Sequence, residues 1–272
     1  LLLVSLSFAV SVGAVPVPLG TVWSILLKKI SPGLIEQTWS QGHEAIVWEI
    51  RFPRAILAMM VGAGLAMVGA SLQAVTRNPL ADPHLLGISS GGAFGSILAL
   101  RHTGRVLGLL PVPLLAFVGA LGATAIVLGV SRFADAMSAD RLVLAGVAVS
   151  FIIMACANVL IFLGDPKATH VVVFWMLGGL GLSRWETLPL VLFGLVLILG
   201  YASFRRRWLD ALLAGDAAAV SLGVPVTRLR ISMFLVAALA TATFVSVAGV
   251  IGFIGLMVPH LARGIVGALH TP

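Results

Sequence analysis

Residues 77–92 read RNPLADPHLLGISSGG, and the reading of this stretch decides the fold. Apolar runs long enough to cross a bilayer lie on either side of it. Two prolines, Pro79 and Pro83, interrupt helix geometry, because each removes a backbone donor and clashes with the preceding turn. Asp82 can cap the turn that leads into the apolar run beginning near residue 87. Irregular backbone at membrane depth is tolerated only where it is buried in protein or lines a cavity. The stretch therefore reads either as an interrupted span at a cavity or, more plainly, as an ordinary inter-helix loop.

The rest of the chain agrees with a membrane setting. Of 272 residues, 60% are hydrophobic and 10% charged, against about a quarter charged in a soluble domain. Mean hydropathy is +1.11. The run LVLAGVAVSFIIMACANVLIFL (142–163) has no charge over a length sufficient for a hydrocarbon core of roughly 30 Å. The expectation is an all-α, polytopic membrane bundle, read as one domain over 1–272. Cys156 lies inside that run, and as the one cysteine it makes no internal disulfide; it reads as a small core residue. The net charge of +7 reads as loop arginines facing lipid headgroups or a partner, with no nucleic acid implied.

Eight segments qualify as membrane candidates: roughly 1–19, 55–75, 87–100, 109–130, 142–163, 187–204, 231–250 and 253–268. The third and eighth are short, so they are expected to be tilted, broken or surrounded by protein. Basic residues divide nine to eight between the two sides and do not orient the chain. The run RRRW (205–208) abuts a span directly and favours a cytoplasmic 205–230, which leaves 20–54 and 164–186 outside. Gly62, Ala66 and Ala70 form a small-residue stripe expected to pack against a neighbouring helix. The chain starts LLLVSLSFAV, read as a first span whose cytoplasmic start is absent, and the end at ALHTP is read as incomplete too.

Several chemistries are excluded. Lys28, Lys29 and Lys167 are the only lysines and none follows a glycine, so a GxxxxGK[ST] phosphate loop is impossible. ISSGGAFG (88–95) lies in a span and reads as close helix packing. The six histidines are scattered, no metal site is expected, and there is no HExxH or GxSxG. The spans carry almost no ionisable residue in their interiors, which counts against an ion-coupled pump or an intramembrane protease.

Residues 205–230, RRRWLDALLAGDAAAVSLGVPVTRLR, are more informative. WLDALLAG and DAAAVSLG read as two short helical pieces, with Gly215 and Gly223 as stops and Asp216 as an N-cap. Folded together they form a compact knob; the competing reading is a loop with two incidental helical turns. In EIRFPRA (49–55), Pro53 fixes the backbone between Arg51 and Arg54 at the outer mouth of the second span. From physics alone, interfacial snorkelling of the two arginines is favoured over docking of carboxylates.

The text IRFPRAILAMMVGAGLAMVGASLQAVTRNPLADPHLLGISSGG (50–92) resembles the FecCD family of ABC-transporter permeases. RLVLAGVAVS (141–150), VVFWMLGGL (172–180), GDAAAVSLGVP (215–225) and GVIGFIGLMVPHLAR (249–263) extend the likeness in the family's order. The resemblance implies a type II importer permease with ten helices, about eight of them present here, in a bacterial inner membrane. It implies a homodimer with two cytoplasmic ATPase subunits and a periplasmic substrate-binding protein. ATP and Mg then belong to the ATPase; this chain binds no cofactor, makes or breaks no covalent bond, and moves its cargo by alternating access.

By the same resemblance, the knob at 209–225 corresponds to coupling helices, with Leu212, Gly215, Asp216, Ser221, Leu222 and Gly223 contacting the ATPase. Arg51 and Arg54 correspond to arginines that receive glutamates of the binding protein. Asn78 and Leu80 correspond to the cytoplasmic mouth of the pathway, with Ser138 in MSADR (137–141) nearby; Asp140 there departs from the usual pattern. Members of the family continue through two more helices and a later docking arginine, which are expected to be missing from this sequence, ending as it does at Pro272. The family carries vitamin B12, haem and ferric siderophores. The charge-poor spans favour haem or a ferric siderophore, with cobalamin as the alternative and a stand-alone secondary carrier as the rival from another class.

Overall fold

The computed structural model describes residues 2–31, 33, 36–83, 87–102, 111–133, 139–163, 173, 175–181 and 183–267. Every regular element among them is helical. The helices are α1 (Leu2–Ser11), α2 (Leu19–Ile30), α3 (Gln41–Ala45), α4 (Phe52–Thr76), α5 (Ile88–His102), α6 (Pro111–Phe133), α7 (Ala139–Phe162), α8 (Leu188–Leu213), α9 (Asp216–Ser221), α10 (Val226–Ala248) and α11 (Ile254–Val266). A π-helical turn, Ile46–Arg51, joins α3 to α4.

Five of the described helical segments are long and apolar enough to cross a membrane, and Leu2–Ser11, Ile88–Ala99 and Ile254–Ile265 are shorter apolar helices. The total of eight matches the expectation, and the third and eighth are short as expected. The first differs: the helix stops at Ser11, because Gly13, Pro16 and Pro18 follow within seven residues. The expected polar connection 20–54 is largely helical. Its α2 buries Val22, Ile25 and Leu26 with Val10, Val17, Trp39, Val47 and Ala55 in a small core of its own at one end of the bundle.

Helix directions follow from a few contacts. Trp185, just before α8, donates its indole N–H to the carbonyl of Trp48, just before α4, at 3.0 Å. At the far end Arg230 bonds Val75 of α4 and Asp216, three residues past the end of α8, so α4 and α8 run parallel, and α10 returns antiparallel against both. The α10 window is 72% buried against 17% for α7, which makes α10 the central rod and α7 a peripheral one. Cys156 is exposed on α7. It is therefore not a core residue: an all-round apolar helix at the rim of a membrane bundle turns part of its apolar surface to lipid.

Close approach between backbones sets the packing. A Cβ at Gly69 of α4 would lie 1.8 Å from the Gly255 carbonyl oxygen of α11, and one at Gly95 of α5 would lie 1.9 Å from that of Leu115 in α6. Gly91 and Gly119 face each other in the same α5–α6 contact, so ISSGGAFG is a packing segment as expected. The stripe at Gly62, Ala66 and Ala70 is not the packed face. Nothing lies within 4 Å of a Cβ built at Gly62, and the buried face of α4 instead carries Leu57, Val61, Leu65, Val68 and Leu72.

Candidate functional site: the knob and the re-entrant turn

The stretch RNPLADPHLLGISSGG (77–92) begins where α4 ends. Arg77 is left-handed (φ 52°), its N–H donates to the Ala74 carbonyl at 3.3 Å, and the Asn78 N–H donates to the Gln73 carbonyl at 3.2 Å. This is a Schellman termination with arginine where glycine is usual. The Asn78 carboxamide oxygen accepts from the Leu80 N–H at 2.9 Å, an Asx turn that leaves Leu80 63% exposed. Ala81, Asp82 and Pro83 then turn inward and are buried. Pro83 packs against Gly255, whose neighbours are Leu65 and Gly69. Gly69 lies eight residues before Arg77, or about 12 Å at 1.5 Å per residue, so the chain climbs back into the bundle by about that depth.

A second break meets the first. The α10 helix ends at Ala248, Gly249 has φ 71° and Phe253 has φ 67°, and α11 starts deep in the bundle beside the middle of α4. Gln73 joins the two elements: its amide nitrogen donates to the Gly255 carbonyl at 3.2 Å, and its amide oxygen accepts from Arg263 at 2.7 Å. The inner parts of both irregular segments, Ala81 to Pro83 and Gly249, are buried against protein, whereas Leu80 and Phe253 are exposed.

The knob differs in detail from its expected form. WLDALL is not a separate piece; it is the end of α8, which at 26 residues is about 39 Å long and overshoots a hydrocarbon core of about 30 Å. Gly215, at φ 112°, turns the chain into α9, a conformation with little penalty only for glycine. Gly215 holds the N-cap position and Asp216 follows it in the first turn, so Asp216 is not the cap. The Asp216 carboxylate is free to pair elsewhere. It accepts from the Arg230 guanidinium at 3.1 and 3.3 Å, and Arg77 approaches it at 3.9 Å. Arg230 Nε donates to the Val75 carbonyl at 2.9 Å, satisfying one of the orphan carbonyls at the end of α4. One nearly buried guanidinium thus ties the start of α10, the start of α9 and the last turn of α4. Leu212 is fully buried beneath the knob, whereas Val220, Ser221, Leu222 and Gly223 are exposed at its tip.

At the opposite end, Arg51 and Arg54 have different surroundings. The Arg51 guanidinium donates to the carbonyls of Val10 and Ser11, each at 2.9 Å, and to that of Val15. It caps the C-terminus of α1. Arg54 is exposed on the rim of a cavity of about 460 Å³ between α1 and α4. Ser138 lies outside the described residues. The sequence reading missed Arg230, Gln73 and Arg263. A lone glutamine in an apolar span was the available signal for Gln73; Arg230 read as an ordinary charge at a helix start.

Interrupted spans, backbones in contact through glycine and a protruding knob describe a helical membrane bundle built like a transport protein. The chain belongs to the FecCD transport family, whose model matches residues 1–272. It is 39% identical over 242 residues to the hemin transport system permease protein of Yersinia pestis, covering 85% of this chain and 71% of that protein. It is 39% identical over 232 residues to the cobalamin import system permease protein of Halobacterium salinarum, covering 84% of this chain and 61% of that protein. The Fe(3+) dicitrate transport system permease protein FecD of Escherichia coli is 34% identical over 260 residues, covering 95% of this chain and 76% of that protein. Among solved structures, a metal-chelate type ABC transporter in an inward-facing conformation matches with a TM-score of 0.80 and 29% identity, covering 99% of this chain and 80% of that one.

Proposed function

We propose that this chain is the membrane-spanning subunit of an ATP-driven importer for a metal chelate, haem or a ferric siderophore first and cobalamin second. The observation that carries the reading is the Arg230 clamp, which joins an exposed knob to the end of α4 and so to the re-entrant turn at 77–83. A cytoplasmic ATPase that grips α9 then has a direct lever on the turn. Closure of two ATPase subunits on ATP shifts the knob, the clamp carries the shift to α4, and Asn78 and Leu80 open or shut the inner mouth. Two copies of this chain enclose the pathway.

Support for the cargo class comes from the relatives named for hemin, cobalamin and ferric dicitrate, and from spans poor in charge. Delivery is by a binding protein at the Arg54 end. Arg54 offers its guanidinium to a carboxylate there, and Arg51 shapes the mouth by holding α1. The test is assembly. The partner ATPase should copurify with the unchanged chain and should be lost when Val220 and Leu222, both exposed, are changed together to Asp. Equal copurification would overturn the assignment of the knob.

A further inference from the structure

We propose that the groove between the knob-side ends of α8 and α10 binds the headgroup phosphate of an anionic phospholipid. The inference needs only the membrane setting and is independent of the cargo. Arg205 lies against an aromatic wall: its guanidinium carbon is 4.1 Å from the Trp208 ring centroid, 4.8 Å from that of Phe204 and 5.9 Å from that of Tyr201. Stacking of a guanidinium on an aromatic face leaves its N–H edge for an oxyanion such as a phosphate. The Arg205 Nε is buried and has no acceptor among the described residues. A buried donor left unpaired is costly, so it marks a position that a ligand can complete.

A second arginine stands at the same height. Tyr201 donates its hydroxyl to Ser232 Oγ, and Ser232 in turn donates to the Arg228 carbonyl at 2.7 Å. Arg205 is one turn beyond Tyr201 on α8, and Arg228 one turn before Ser232 on α10. The two helices run antiparallel, so both arginines sit one turn, about 5.4 Å, beyond the same hydrogen bond toward the knob. Between residues 201 and 235 there are five arginines and two aspartates, which leaves the region positive. Asp216 is already held by Arg230.

The occupant is a lipid and not a free anion because of what surrounds the charge. Tyr201 and Trp208 are the residues that mark a membrane–water interface, and basic pockets between helices at that level suit lipid headgroups. Phe204 is 77% exposed and Leu235 50% exposed, which gives acyl chains apolar surface next to the phosphate position.

The test uses the intact membrane protein in detergent, with phosphatidylglycerol, phosphatidylcholine or inorganic phosphate added, read by native mass spectrometry and thermal unfolding. Phosphatidylglycerol should be retained at least tenfold more than phosphatidylcholine and should raise the unfolding temperature. R205Q/R228Q should abolish the difference, while R206Q/R207Q keeps most of it. Equal retention of the two lipids by the unchanged protein overturns the proposal, whatever the variants do. Stabilisation by inorganic phosphate equal to that by phosphatidylglycerol overturns the lipid assignment.

Discussion

Asp216→Asn and Arg230→Gln, singly and together, probe the link between knob and turn. Arg230 has a side chain only 9% exposed, whereas Asp216 is 46% exposed. Breaking a fully buried pair costs about 3–5 kcal/mol, and a hydrogen bond to a charged group contributes about 1.5–3 kcal/mol. Solvent on the Asp216 side reduces the first figure, so Asp216→Asn should cost about 1–2 kcal/mol. Arg230→Gln also removes the donor to Val75 at 2.9 Å and should cost about 1 kcal/mol more. Residues that share one interaction are non-additive, so the double variant should be no worse than Arg230→Gln alone. The assay is proteoliposome transport with ATP hydrolysis and uptake measured on the same sample. The variants should hydrolyse ATP while importing less per ATP, and the double variant should match the Arg230 single. An unchanged uptake-to-hydrolysis ratio in Arg230→Gln, with the protein folded, refutes the clamp as the transmitting element.

Cysteine at Asn78 or Leu80, in a Cys156→Ser background, should react with a water-soluble maleimide from the cytoplasmic side at a rate that changes with nucleotide; no reaction in any state would make this a static loop. Arg54→Glu should weaken binding-protein association more than tenfold in surface plasmon resonance, a partner acid changed to Arg should partly restore it, and unchanged binding would return Arg54 to snorkelling. Arg51→Glu should instead lower stability by about 2–3 kcal/mol, because three carbonyls lose their donor. Gly215→Val should strain a turn at φ 112° by about 1 kcal/mol or more and reduce ATPase association; full uptake and assembly would remove the turn from the mechanism.

The long spans were legible because their signal is length and apolarity, which lipid reads directly. The two interrupted spans were legible in part: Pro79 and Pro83 declare a break, but only the contact between Pro83 and Gly255 says that the chain turns inward. The packed face of α4 was misread because Gly62, Ala66 and Ala70 share a helical stripe with the spacing of a true contact. Spacing does not tell whether a neighbour is present, and here the near neighbour is Gly255, opposite Gly69. The second half of the expected knob is present as α9, yet the first half is not a separate piece, since Leu209–Leu213 suit a continuing helix as well as a separate one. Arg230 was invisible because its partners, Asp216 and Val75, lie 14 and 155 residues away in sequence.

The most direct measurement is uptake of radiolabelled ferric siderophore or haem into liposomes containing this chain. The predicted result is accumulation only when the ATPase, the binding protein and internal or external ATP on the knob side are all present. Accumulation driven by an ion gradient with the chain alone would contradict the account.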